Sequence, residues 1–144
     1  MEIKISQPKT KSDFEKYYDL RWRILRKPWK QPRGSEKDNF ENQSVHIAAF
    51  VGDKIIGIGR LHLNSKKESQ VRYMAVEHGF QGKGIGGLVL KQLEKAAKKK
   101  GAKYIILNSR ETAVKFYKKY GYKIVGKADT MFGVIPHWKM KKDI

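Results

Sequence analysis

Between residues 76 and 87 the chain reads Val76-Glu77-His78-Gly79-Phe80-Gln81-Gly82-Lys83-Gly84-Ile85-Gly86-Gly87, a glycine-rich turn. Ahead of it, Gln70 to Val76 is a β-rich run. Behind it, Ile85, Leu88, Val89, Leu93, Ala96 and Ala97 recur on one helical face, with Lys91, Lys95, Lys98 and Lys99 mostly off that face. The unit is strand, glycine turn, helix. Glycines let successive backbone N–H groups point into one concavity, and a helix start adds unsatisfied donors and the positive end of its dipole. The turn therefore predicts an anion site. It is not a P-loop, because Gly82-Lys83 is followed by Gly84 where that motif needs Ser or Thr. Gly82, Gly84 and Gly87 satisfy G-x-G-x-x-G, but five residues separate strand from loop and no acid near residue 107 could hold a ribose, which argues against a dinucleotide fold. The competing structural reading is a turn that merely lets helix and strand pack closely.

Outward from the loop, Val45 to Val51 and Lys54 to Leu63 are β-rich runs joined by Gly52-Asp53, an antiparallel hairpin that the strand ending at Val76 extends into a meander. Met1 to Ser6 reads as a short strand. Ser12-Asp13-Phe14-Glu15 has the form of a capping box, and Phe14, Tyr17, Tyr18, Trp22 and Leu25 continue a helix to about Arg26, ended by Pro28 and Pro32. Residues 27 to 43 are too long and polar for a plain connector and form a candidate substrate loop. Gly101 closes the second helix, Lys103 to Asn108 is a buried strand, and Ala113, Phe116, Tyr117 and Tyr120 mark a short helix closed by Gly121. Tyr122 to Ala128 and Ile135 to Met140 supply two last strands. The expected fold is α/β, with a mixed, mostly antiparallel sheet of six to seven strands flanked by helices, in one domain over residues 1–144.

Composition narrows the function. In 144 residues there are 32 Lys and Arg, 14 Asp and Glu and no Cys, a net charge of +18. Without cysteine, disulfide frameworks, thiolate nucleophiles and Cys-ligated zinc are excluded, and four isolated histidines with no H-E-x-x-H predict no metal site. No apolar run approaches a membrane span, and the opening residues lack a secretory signal, so a cytoplasmic protein without membrane association is expected. Residues 1–72 carry +7 and residues 73–144 carry +11. The potential draws anions; a nucleic acid or a phosphorylated cofactor would fit, as would lysine-rich helix faces that are simply solvated.

Gln81-Gly82-Lys83-Gly84-Ile85-Gly86 resembles the [RQ]-x-x-G-x-[GA] pyrophosphate loop of the GNAT superfamily of acyl-CoA dependent N-acyltransferases. In that family the loop follows a strand ending in an apolar-small-Val run, as Met74-Ala75-Val76 does. Downstream, Ala113-Val114-Lys115-Phe116-Tyr117-Lys118-Lys119-Tyr120-Gly121-Tyr122 is similar to the family's A-x-x-F-Y-x-x-x-G-[FY] segment. Two motifs in order at the expected separation carry the resemblance, which is strongest over residues 44 to 128. The ending Gly133 to His137 resembles one branch of small bacterial and archaeal members.

The resemblance implies an N-acetyltransferase that moves an acetyl group directly from acetyl-CoA to a primary amine. Met74 and Val76 would pair main-chain groups with the pantetheine arm, and the Met74-Ala75-Val76 segment would offer a backbone N–H to the oxyanion. Gln81, Gly82, Lys83, Gly84, Ile85 and Gly86 would wrap the pyrophosphate, and Asn108 would bond the pantetheine or a water. Tyr117 would be general acid to the CoA thiolate; the competing role for it is a place in the core. Where many members have Asn three residues before the Ala, this chain has Arg110, and where some place a catalytic Glu it has Gln70. Tyr73, His46, His62 and His137 remain as base candidates, with His137 preferred. The acceptor groove would be flanked by residues 21 to 43, with Arg21, Arg26, Trp29 and Tyr73 as contacts. That basic run predicts a small-molecule or peptide amine that also carries a carboxylate or phosphate. A monomer or homodimer is expected. The alternative is a non-enzymatic module on the same fold, sensing CoA or binding nucleic acid through its lysines.

Overall fold

The computed structural model describes residues 2–144. Seven strands form one sheet: β1 (Lys4–Ser6), β2 (Val45–Val51), β3 (Lys54–Leu63), β4 (Glu68–Val76), β5 (Tyr104–Arg110), β6 (Lys123–Met131) and β7 (Ile135–Asp143). Their spatial order is β1-β2-β3-β4-β5-β7-β6, antiparallel throughout except for the parallel pair β4–β5. This is the expected mixed α/β sheet. Three helices flank it: α1 (Lys11–Leu25), α2 (Ile85–Lys99) and α3 (Val114–Lys119).

The two faces carry separate cores. On one, Tyr17, Leu20 and Ile24 of α1 pack on Ala48, Ile58 and Ala75. On the other, Val89, Leu90 and Leu93 of α2 are fully buried against Ile56, Leu61, Ile105 and Leu107. Each such side chain contributes about 1.5–3 kcal/mol by leaving water. α2 lies unusually close to β3 because Gly59 has no side chain; a Cβ there would come within 2.6 Å of Met74 Sδ, 2.8 Å of Leu93 and 2.9 Å of Val89.

Several local readings shift. The cap of α1 is Thr10, two residues earlier than the box read at Ser12: Thr10 Oγ1 accepts from Asp13 N (3.0 Å) and Asp13 Oδ2 accepts from Thr10 N (3.3 Å). Thr10 to Asp13 has the same spacing of cap and acid, and it lies nearer the strand. β1 begins at Lys4, and Met1 lies outside the described residues. β7 inserts between β5 and β6, an order that no local pattern records.

Candidate active site

β4 and β5 pair only at Glu68–Tyr104, Ser69–Ile105 and Gln70–Ile106, after which they diverge. The cause lies in β4. Against β3, Ile58 faces Ala75 and Arg60 faces Arg72, so three steps in β4 match two in β3 and a bulge holds the extra residue. Tyr73 sits in it at φ 58°, a left-handed conformation that a bulky residue rarely adopts. Beyond the bulge Glu77 N donates to Ile56 O (2.9 Å), so by alternation the main-chain groups of Val76 and Met74 point away from β3 and into the opening. The opening is a cleft of about 320 Å³. Its walls come from β4 (Gln70 to Met74), β5 (Asn108 to Arg110), Ala113, Tyr117 of α3, Leu25 at the end of α1 with Arg26 and Trp29 after it, and Asp129, Met131, Phe132, Ile135 and His137 of the β6–β7 hairpin.

At the far end of β4 lies the glycine turn. Gly82 (φ 77°) and Gly84 (φ 81°) hold backbone conformations that side chains disfavour, and a Cβ at either would meet nothing within 4 Å. Their role is therefore the path of the backbone, with open space beside it. Gly84 caps α2, whose first bond runs from Leu88 N to Gly84 O (3.2 Å), leaving the N–H groups of Ile85, Gly86 and Gly87 without helical partners. Gly86 and Gly87 answer to packing as well: a Cβ at Gly86 would come within 3.2 Å of Phe116, and one at Gly87 would land on the Tyr120 hydroxyl. Lys83 is exposed, its Nζ 5.8 Å from the Phe80 ring, and Gln81 donates to Val76 O (3.1 Å). Such a turn fits a pyrophosphate: donors, a helix start, no acid from Gln81 to Gly87, and open space beside Gly82 and Gly84.

Tyr117 projects from α3 to the cleft wall, buried, with its hydroxyl making no hydrogen bond among the described residues. Burial raises its phenol, against the pull of the Arg110 charge. His137 lines the same cleft; its Nδ1 donates to Ile135 O (2.9 Å), which leaves Nε2 as the acceptor nitrogen of the neutral ring. Asn108 and Met74 are also on the wall, while Ala75 is buried toward α1.

The segment after α1 is clasped from below. Asp38 accepts from Arg60 Nη1 (2.6 Å) and Nη2 (2.9 Å) and from Arg72 Nη1 (2.9 Å); Glu41 accepts from Arg21 (2.9 Å) and Arg60 (2.7 Å). Burial alone would raise the Asp38 carboxyl, but the Arg60 fork, the Phe40 N–H and Arg72 outweigh it and hold that group well below the usual carboxylate range. Four guanidinium carbons ring the Tyr73 side chain, at 4.1 Å (Arg21), 4.6 Å (Arg72), 4.9 Å (Arg60) and 5.5 Å (Arg26). Arg21 and Arg60 are fully buried, and the Nε of each lacks a partner among the described residues.

Of the acceptor contacts read from sequence, Arg26, Trp29 and Tyr73 line the cleft and Arg21 does not; it lies beneath, on Glu41, the Glu36 carbonyl and the Tyr17 hydroxyl. His46 and His62 also sit away from the cleft. His46 Nε2 donates to Glu41 O (2.7 Å) and its Nδ1 faces the Tyr17 hydroxyl (2.8 Å); His62 Nδ1 accepts from Arg60 (3.1 Å) and its Nε2 donates to Asn64 (3.0 Å). Burial lowers both rings. Arg72 and Asp129 reach the cleft without having been singled out from sequence, and Arg110 faces it across from Trp29, 5.4 Å from that ring. The only sequence signal among them is Arg110 in place of the family's Asn.

Among the described residues no helix is long and apolar enough to cross a membrane, and no group of three or more His, Cys, Asp or Glu side chains could hold a metal ion. The acetyltransferase (GNAT) domain matches residues 27–144. Over 135 residues, 94% of this chain and 96% of the relative, the sequence is 33% identical to the uncharacterized N-acetyltransferase YjcF of Bacillus subtilis (strain 168). The fold is similar to a crystal structure of an aminoglycoside 6'-N-acetyltransferase complexed with coenzyme A (TM-score 0.82, 20% identity, 99% and 97% of the two chains). It is likewise similar to a GNAT family acetyltransferase from Elizabethkingia anophelis with acetyl-CoA bound (TM-score 0.81, 22% identity, 99% and 98%). With a family match over most of its length and a relative of this identity across nearly all of it, the chain belongs to the GNAT family and is an acyl-CoA N-acyltransferase.

Proposed function

We propose that the chain transfers an acetyl group from acetyl-CoA directly to the primary amine of a small molecule or peptide bound across the β4–β5 cleft. The observation that carries this reading is the sequence of features along β4: it lines the cleft as far as Met74, runs on into a glycine turn at a helix start, and faces Tyr117 on the cleft wall, whose hydroxyl has no hydrogen-bond partner among the described residues.

In this reading Gln81 to Gly86 hold the pyrophosphate through backbone donors, with Lys83 beside them, and the main-chain groups of Met74 and Val76 pair with the pantetheine arm alongside Asn108. The acceptor amine attacks the thioester carbonyl. The C–N bond forms, the C–S bond breaks, and a backbone N–H of the Met74–Val76 segment faces the oxyanion. His137 Nε2 takes the amine proton, directly or through water. Tyr117 hydrogen-bonds the departing thiolate. A thiol has a pKa of about 8.5 and a phenol about 10, and burial raises Tyr117 further, so the hydrogen bond rather than complete proton transfer is its main contribution.

Tyr117→Phe tests this. Turnover should fall by about 10²-fold or more with the acetyl-CoA Kd unchanged; equal turnover would remove Tyr117 from the mechanism.

A further inference from the structure

Three guanidinium groups, of Arg26, Arg72 and Arg110, line the cleft, and Asp38, outside its lining, pairs with one of them, Arg72. Arg26 is buried at 8% exposure, spends its donors on two carbonyls, Ser35 O (3.1 Å) and Leu25 O (3.0 Å), and has no ion pair among the described residues. Its guanidinium lies 5.5 Å from the Tyr73 ring and 5.5 Å from the Phe132 ring. Arg72, 4.6 Å from Tyr73 on the same ring, shares Asp38 with the buried Arg60 and so has less than one counter-charge. Arg110 has no ion pair among the described residues and stands over Trp29, which itself stacks on Phe132 at 6.2 Å. All three line the cleft, whose one acidic lining residue is Asp129.

Positive charge held in a partly dry cleft is costly unless an anion joins it. In the acetyl-transfer reading the glycine turn beyond β4 provides for the phosphates of the cofactor, and Arg110, which takes the place of the family's Asn, stands over Trp29. We infer that Arg26, Arg72 and Arg110 form a binding site for an oxyanion of the acceptor, so that the substrate is a small amine carrying a carboxylate or phosphate group. The anion docks between the guanidinium forks and the Trp29–Phe132 stack, which leaves the amine end toward His137 and Asp129. This rests on the acetyl-transfer reading above.

The test is an acceptor panel of matched pairs on the full chain with acetyl-CoA: amino acids against their amides, 4-aminobutyrate against 4-aminobutyramide, and phosphoethanolamine against ethanolamine, with spermidine and kanamycin as polycations. The oxyanion member of a reacting pair should show a kcat/KM about 10- to 100-fold above its neutral partner, the range of one or two charge-assisted hydrogen bonds. Which pairs respond separates carboxylate from phosphate. Arg110→Gln should collapse that ratio toward one, and Arg110→Lys should restore part of it. Equal rates within pairs, faster turnover of the polycations, or an equal loss for both members in Arg110→Gln would overturn the inference. If acetyl-CoA binds but nothing in the panel reacts, sulfate decides: at constant ionic strength and saturating acetyl-CoA, it should raise the thermal midpoint of the wild type more than that of Arg110→Gln, and equal shifts would overturn the inference. Failure of acetyl-CoA to bind at all would instead bring down the acetyl-transfer reading, and this inference with it.

Discussion

Arg23 grips Glu77 with both ends of its fork, Nη1 to Oε1 at 2.9 Å and Nη2 to Oε2 at 2.7 Å, and so ties α1 to the residue at which β4 becomes the glycine turn. Glu77 Oε1 also accepts the His78 N–H (3.2 Å). The carboxyl is held below its ordinary value chiefly by that Arg23 bond. The helix on one face of the sheet thereby fixes the start of the anion cradle on the other. Glu77→Gln should cost about 1–3 kcal/mol of stability, as for loss of a hydrogen bond to a charged group. It should also weaken acetyl-CoA binding more than it lowers kcat, which calorimetry and steady-state kinetics would separate.

Asp38 has a comparable role under the acceptor loop. Replacing it by Asn keeps the size and leaves Arg60, buried at 0% exposure, with Glu41 alone. Breaking a buried pair from one side typically costs about 3–5 kcal/mol. Denaturant unfolding of Asp38→Asn should show a loss in this range, and a change under about 0.5 kcal/mol, the ordinary surface value, would mean that the clasp is not what holds residues 27–43.

The two histidines outside the cleft give stability a pH dependence. His46 and His62 have folded-state values lowered from 6.5 by burial, so the unfolded chain binds protons that the folded one refuses. Their contribution is full above pH 6.5 and is lost as pH falls from there toward the folded values. The thermal midpoint should therefore drop between about pH 7 and pH 5. His62→Asn should flatten part of that slope; an unchanged slope would assign it to other groups.

Much of this arrangement was legible in the sequence because it is local. The hairpin of β2 and β3 keeps the boundaries read from its β-rich runs and its Gly52-Asp53 turn, and the glycine turn announces α2 through Gly82 and Gly84. Gly101 (φ 85°) and Gly121 (φ 94°) stop their helices where their positions indicate. What escaped is what depends on partners far along the chain. Tyr73 carries the bulge that opens the cleft, and a tyrosine at positive φ leaves no compositional mark; only its four arginine neighbours, drawn from α1, the end of α1, β3 and β4, show how it is held. Arg21 and Arg26 read alike as basic residues on one helix, yet Glu41 claims the first and the cleft receives the second. Asp129 reaches the site because β6 and β7 fold back as a hairpin beside β5, a pairing no residue near Asp129 specifies.

In the proposed reading the glycine turn and the diverging strands together hold acetyl-CoA. Calorimetric titration of acetyl-CoA at about 0.15 M salt, into the wild type and into Gly84→Glu, tests it most directly. Gly84 is at φ 81° beside open space, so glutamate there would strain the turn and put a negative charge where the phosphates belong. One-to-one binding that persists with added salt is expected in the wild type, and its loss in Gly84→Glu. Absence of binding to the wild type, or equal binding to both, would contradict it.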